Sequence, residues 1–189
     1  MASSAPDPLT PRARQIVAAA REILDDEGRE ALTMRRIADH LGIRAPSLYK
    51  HFPDKQALEA AIISDAFEQQ AVLFENAIEG SADPLAALAA VYRAYASAHP
   101  GLYRLMTDQE LRRDLLAPGV EARAGLPIYL ATGKDADRAR AAWAFAHGMT
   151  MLELTNRFPP GADLDAAWGA GIGAFRDQTR GGPASRRRR

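Results

Sequence analysis

The sequence predicts an all-α protein of eight or nine helices, with a three-helix helix-turn-helix unit at its N-terminal end and a larger helical body behind it. Three observations carry this. Almost every apolar pattern recurs with the helical period, as Ile16, Ala19, Ala20, Ile23 and Leu24 do. Capping residues followed by proline or a long apolar stripe mark one helix start after another. No stretch alternates apolar and polar residues as a half-buried strand would.

The elements follow in order. Thr10–Pro11 is a cap with proline at the first helical position, and Gly28 ends the helix it opens. Thr33 caps the next, where Met34, Ile37, Ala38 and Leu41 form one stripe, and Gly42 supplies the turn. Pro46 opens a third helix with Leu48 and Phe52 four apart on its inner side. Asp54 caps a long fourth helix reaching about Ile78. Asp83–Pro84 starts a helix that ends before Pro100, and residues 100–106 form a short one. From 108 to 135, Pro118, Gly119, Gly125, Pro127 and Gly133 predict helix pieces joined by loops. Two strong helices close the chain, at about 137–157 and 163–179, separated by Pro159–Pro160–Gly161. The domain reading is a disordered lead at 1–9, a helix-turn-helix domain at 10–58, a second domain at 59–180 and a disordered basic tail at 181–189.

Composition excludes more than it identifies. With 24 basic and 24 acidic residues, global charge is silent about partners. The absence of cysteine removes disulfides, thiolate zinc sites and cysteine nucleophiles, and it fits a cytoplasmic location. The start of the chain lacks an apolar run behind a basic segment, so no signal peptide is expected. No run approaches the roughly 18 apolar residues of a membrane span. There is no Gly-x-Ser-x-Gly, no phosphate-cradling glycine loop after a strand and no His-Glu-x-x-His. The four histidines, at 40, 51, 99 and 147, are not at metal-ligand spacing. The expectation is a protein that is not an enzyme and carries no cofactor and no metal.

Charge does gather locally. In the window Thr33–Lys55, Arg35, Arg36, Arg44, Lys50 and Lys55 face only Asp39 and Asp54, leaving a net +3. A three-helix plan with a short turn is that of a DNA reader whose third helix enters the major groove. Phosphate contacts would supply affinity without reading sequence. The free amides at the Thr33 and Asp54 helix starts suit phosphates. Arg44 is the long donor near the third helix start that suits a bidentate contact to guanine. Ala45 and Pro46 suit a thymine methyl, Ser47 is a short donor and acceptor, and Tyr49 and His51 suit phosphates. Charge and pattern alone leave two readings open: a DNA interface, or a solvated basic face on a helical protein-binding adaptor.

The stretch "GREALTMRRIADHLGIRAPSLYKHFPDKQALEAAI" resembles the DNA-binding domain of TetR-type transcriptional regulators. The resemblance begins at Gln15–Ile16. It is carried by Gly28, Leu32–Thr33, Ile37–Ala38, Leu41–Gly42–Ile43, the run from Ser47 to Phe52, and then Lys55 and Leu58. It implies DNA contacts from Thr33, Arg35, Arg44, Ala45, Pro46, Ser47, Tyr49, His51 and Lys55, to which the local charge adds Lys50. Position Ala45 departs from the polar or small reader usual there. Alanine cannot hydrogen-bond a base edge, so specificity leans more on Arg44 and on DNA shape.

The same resemblance implies that the larger part binds a small molecule and forms a homodimer. "HPGLYRLM" (His99–Met106) and Trp143-x-x-x-His147–Gly148 are similar to a subgroup named for a Trp-His-Gly pattern in the C-terminal domain. Large apolar or half-polar residues suited to lining a mostly apolar pocket are Phe74, Tyr92, Tyr95, Tyr103, Met106, Trp143, Phe145, His147, Met149 and Met151. For each, a place in the core is the competing reading. The helix 137–157 is apolar on two sides, and Gly169, Gly171 and Gly173 sit in the interior of the last helix. Glycine costs about 1 kcal/mol there, which a closely approaching helix would offset. The dimer interface is therefore expected at Thr150, Leu154, Leu164, Ala167, Trp168, Gly171, Ile172 and Phe175, as a four-helix bundle with the symmetry mate. The expected function is a repressor on a palindromic operator, released by an apolar or aromatic effector. The sequence does not give the effector, the operator, the regulated genes, the choice between repression and activation, or a role for the Arg186–Arg189 tail.

Overall fold

The computed structural model describes residues 9–176, and among them the chain is helical throughout. The helices are α1 (Pro11–Glu27), α2 (Met34–His40), α3 (Lys55–Ile78), α4 (Pro84–Ala98), α5 (Pro100–Thr107), α6 (Val120–Ala131), α7 (Ala136–Leu154) and α8 (Leu164–Ala174). Short 3-10 turns lie at Arg29–Ala31, Ala45–Ser47 and Arg113–Leu115. Residues 1–8 of the expected lead, the end of the last expected helix at 177–179 and the tail at 181–189 lie outside the described residues.

The capping side chains do what their chemistry predicts. Thr10 Oγ1 accepts from the Ala13 amide at 3.2 Å, Thr33 Oγ1 from Arg36 at 3.1 Å and Asp54 Oδ1 from Ala57 at 2.8 Å. Asp83 and Asp163 cap α4 and α8 in the same way, accepting from Ala86 and Ala166. Each satisfies an amide that the helix geometry leaves unpaired.

Two compact units share the described residues, 9–73 with 94–125, and 74–93 with 126–176. The first unit is built on Ile16, Ile23, Leu24, Leu32, Ile37, Leu48, Leu58, Ile62, Leu102 and Leu105, all fully buried. Full burial of such a side chain contributes about 1.5–3 kcal/mol. Within this unit α5 lies against the end of α1, so the "HPGLYRLM" segment packs with the N-terminal helices. The second unit closes on Leu85, Ala89, Ala142, Ala146, Met149, Trp168 and Ile172. Arg93 ties three of its helices together. Arg93 Nη2 lies 2.8 Å from Glu153 of α7 and its Nη1 2.6 Å from Asp165 of α8, while the guanidinium stands 5.7 Å from the Trp168 ring centre. Glu153 also accepts from Trp168 Nε1.

Three expectations about elements are corrected. The third helix is a 3-10 turn at Ala45–Ser47 followed by further turns, because only six residues separate Pro46 from Pro53. The weak region does hold helix pieces joined by loops, a 3-10 turn at Arg113–Leu115 and α6, but Gly125 and Pro127 lie inside α6 rather than breaking it, since a proline removes a single ladder bond. The last helix stops at Ala174, where Phe175 forms the cap.

Candidate nucleic-acid interface

The turn between α2 and the Ala45–Ser47 segment is held by backbone bonds. Gly42 sits at φ +63, a left-handed conformation that favours glycine. Its amide donates to Asp39 at 3.1 Å and the Ile43 amide to Ala38 at 2.9 Å. These two bonds are the Schellman closure of a helix C-terminus. The following segment stays compact through Ser47 N–H to the Arg44 carbonyl, Leu48 to Ala45, and both His51 and Phe52 to Leu48, at 2.9–3.0 Å. Leu48 and Phe52 are buried, at 0% and 4% exposure, and pin this segment to the core of the first unit.

With those two side chains inward, the others turn out. Arg44, Pro46, Tyr49, Lys50, His51, Thr33, Arg35 and Lys55 are exposed, and Ala45 and Ser47 are half-buried. Tyr49 is 51% exposed, so it is no core tyrosine. Arg35 stands 3.9 Å from Asp39 and Lys55 3.5 Å from Glu59. Arg44 and Lys50 have no carboxylate partner among the described residues. Arg36 differs, being gripped by Glu27 at the end of α1. His40 at the other end of α2 meets Glu22 of α1 at 3.0 Å. Sequence reading missed both links, because nothing in the spacing of α1 and α2 reveals which faces meet.

A basic, rigidly backed segment next to a capped helix start is a surface for a nucleic-acid backbone and base edges. The chain is 30% identical over 185 residues to an HTH-type transcriptional regulator of Mycobacterium tuberculosis, covering 90% of this chain and 84% of that protein. The family model described as bacterial regulatory proteins, tetR family, matches residues 16–62, and that of a tetracyclin repressor-like C-terminal domain matches 85–175. The chain belongs to the TetR family of bacterial regulators. Tetracycline repressor class C of Escherichia coli is 47% identical over 47 residues, 25% of this chain and 22% of that protein. A TetR variant from Acinetobacter baumannii AYE, solved in complex with minocycline, shares the fold with a TM-score of 0.61 at 20% identity, covering 86% and 92% of the two chains. This TetR-family chain is a transcriptional regulator with a DNA-binding helix-turn-helix domain, and not an enzyme. Among its described residues no helix is long and apolar enough to cross a membrane, and no three metal-ligating groups cluster.

The candidate effector residues of this TetR-family chain are not brought together as one set. Tyr95, Tyr103 and Met106 are buried in the first unit, with Tyr95 and Met106 in the same core as Ile16 and Leu24. Tyr103 and Met106 lie on α5, whose apolar face is spent against α1, and Tyr95 lies near the end of α4, packed into the same core. Phe74, Tyr92, Phe145, His147, Met149 and Met151 belong to the second unit, where Phe74 and Tyr92 rings stand 6.3 Å apart. Trp143 is 52% exposed and stacks on His147 at 6.0 Å, so it lines no interior. An open groove of about 380 Å³ lies elsewhere, on α1 and α3 of the first unit, between Arg14, Arg21, Glu22, Asp25, Asp65 and Gln69. None of the candidates lines it.

The candidate dimer residues divide in a similar way. Thr150, Trp168 and Ile172 are buried inside their own unit, and Ala167 and Phe175 pack against the same core. A Cβ on Gly171 would meet the Phe145 ring of the same chain at 2.0 Å. The close approach that this glycine serves is therefore intramolecular. Leu164 and Leu154 are half-buried. What α8 leaves exposed is a row of small residues, Ala166, Gly169, Ala170 and Ala174, and α7 leaves Ala141, Ala144 and Leu152.

Proposed function

We propose that this regulator is a repressor that binds a palindromic operator as a homodimer and is released by a small apolar or aromatic molecule. The observation that carries the reading is the segment Arg44–His51. Leu48 anchors it while Arg44, Pro46, Tyr49, Lys50 and His51 face solvent. Arg44 reads a base edge, Ala45 and Pro46 touch apolar groups of the groove, Ser47 hydrogen-bonds, and Thr33, Arg35, Tyr49, Lys50, His51 and Lys55 hold phosphates. Residues 10–58 serve as the DNA-binding domain, and residues 59–180 serve ligand binding and dimerisation.

Two such segments in a dimer meet successive major grooves about 34–36 Å apart or a multiple of that. The exposed small residues of α7 and α8 support a second copy as their cover, because small side chains let helix backbones approach and an apolar face needs a partner. The interface then runs through Ala141, Ala144, Ala166, Gly169 and Ala170, with Leu154 and Leu164 at its edge, and the buried Trp168 and Ile172 back it from within. The effector binds within residues of the second unit, where Phe74, Tyr92 and Phe145 supply aromatic surface and His147 a polar group. The Trp143-x-x-x-His147–Gly148 spacing supports membership of the Trp-His-Gly subgroup. That a family relative binds minocycline supports a flat, partly aromatic effector class. α3 has residues in both units, 55–73 in one and 74–78 in the other, which suits it to carry the coupling. A coupling of about 1–3 kcal/mol suffices to release the operator. The protein acts in the cytoplasm, where its operator lies.

Sedimentation equilibrium tests the dimer. Wild type is expected as two chains, and Ala170→Glu as one chain of unchanged helicity. A wild-type monomer at micromolar concentration, or an Ala170→Glu dimer as tight as wild type, would contradict the reading.

A further inference from the structure

One arginine of the helix-turn-helix domain, the head of the protein, is held by a carboxylate in a bidentate grip. Arg35 projects into solvent, its side chain 91% exposed, with the exposed Asp39 carboxylate 3.9 Å away. Arg36, next to it in the first turn of α2, folds back onto Glu27, the last residue of α1. Its Nε lies 3.1 and 3.0 Å from the two carboxylate oxygens and its Nη2 2.5 Å from one of them. This is a fork-to-fork grip, the strongest geometry a carboxylate offers a guanidinium. The hydrogen bond holds the Glu27 carboxyl below its ordinary range and the Arg36 guanidinium above its own. The Arg36 backbone amide, by contrast, donates to Thr33 Oγ1 at the helix start where phosphate is expected. Its main chain is at the interface while its charge is turned back.

We propose that Glu27 is a specificity-determining residue: by holding Arg36 it removes one positive charge from the DNA-facing set and so limits sequence-independent binding. This rests on the reading of the head as the DNA interface. The physical reason is counterion release. Non-specific affinity comes from phosphates neutralised, and each one changes the slope of log K against log salt by about 0.9. A released Arg36, beside Arg35 and Thr33, adds a phosphate contact that carries no sequence information. Glu27 thus holds down the background against which Arg44 discriminates.

The test uses the full chain and a short random-sequence DNA duplex, with anisotropy titrations between about 50 and 200 mM salt, where such contacts are most visible. Glu27→Gln is expected to steepen the slope by about 0.9 for each head engaged. Arg36→Gln and the double variant Glu27→Gln/Arg36→Gln should keep the wild-type slope. Asp26→Asn removes a neighbouring carboxylate that does not grip Arg36, and should keep it too. The tail arginines contribute equally to every variant and cancel. Thermal melting checks that each variant is folded, and Arg36→Gln with Glu27 intact keeps the test standing if Glu27→Gln is not. A flatter slope in Arg36→Gln means Arg36 already neutralises a phosphate and overturns the proposal. An unchanged slope in folded Glu27→Gln overturns it as well. Arg35→Gln is the control for the underlying reading: if it leaves the slope unchanged, or wild type shows no salt-dependent binding, the DNA interface itself is misassigned and the proposal falls with it.

Discussion

Gly101→Ala should destabilise the protein, although alanine is the better helix former. Gly101 is the second residue of α5. A Cβ there would stand 2.2 Å from the Leu24 carbonyl oxygen and 3.0 Å from its carbon. A carbon and a carbonyl oxygen rest at about 3.3–3.6 Å, so α5 must back away by roughly 1 Å. The oxygen cannot turn aside freely, because it accepts the Gly28 amide that closes α1 at 3.2 Å. Backing away loosens Leu102 and Leu105, both fully buried, and lengthens the 3.0 Å contact between His99 and Asp25. Overpacking of this kind costs about 1–3 kcal/mol, and a backbone partner places it toward the upper end. Helix propensity returns at most about 1 kcal/mol. The net is about 2 kcal/mol, or a Tm lowered by roughly 4–8 °C for a chain of this size. Far-UV circular dichroism melts of the two proteins at one concentration measure it. An unchanged or raised Tm would mean that propensity decides and that α1 and α5 do not meet this closely.

Gly171→Ala should lower stability by about 1–3 kcal/mol while leaving the oligomeric state alone, because its Cβ meets Phe145, a ring set 5.8 Å from Trp168 and 6.0 Å from Phe175. Loss of the dimer without loss of stability would contradict this. The Tyr95 hydroxyl is buried without a hydrogen-bond partner, and burial pushes its pKa up to about 12. The folded chain then keeps a proton that the unfolded chain releases above about pH 10, so stability is full below pH 10 and falls between 10 and 12 by roughly 2–3 kcal/mol. Tyr95→Phe should abolish that part of the alkaline loss and be as stable as wild type or more so at neutral pH; equal alkaline slopes in urea titrations of the two would refute it. Tyr49→Ala should weaken binding to all DNA, whereas Arg44→Ala should also relax preference at one base pair by about 1–3 kcal/mol. Competition binding with single-base variants of the site separates the two, and unchanged preference in Arg44→Ala removes it from the readers.

The helix starts were legible because a capping side chain acts within three residues of itself. Thr10, Thr33, Asp54 and Asp83 all make the bond their position implies. The inward pair Leu48 and Phe52 was legible for the same reason: their spacing is local. Which helix face meets which neighbour is not local. Trp168 and Ile172 lie on an apolar stripe that suits a partner chain or a private core equally well, and the core claimed them. Tyr103 and Met106 look like pocket residues until α5 is seen against α1, and Tyr95, on α4, joins the same core. Arg36 counts as one of five positive charges in the sequence window, yet Glu27, nine positions earlier, cancels it. A run through Gly125 and Pro127 reads as broken helix because propensity sees only the chain, whereas Val120 and Ala124 are buried by packing that propensity does not include.

The central claim is that Arg44–His51 reads a two-fold operator. Selection of bound fragments from the source genome at near-physiological salt, with the chain shortened to Gly182 so that Arg186–Arg189 cannot hold DNA, tests it most directly. The account predicts enrichment of one inverted repeat whose half-sites are a whole number of helical turns apart, and loss of that enrichment in Arg44→Ala. Fragments no more enriched than background, or an enriched site without two-fold symmetry, would contradict it.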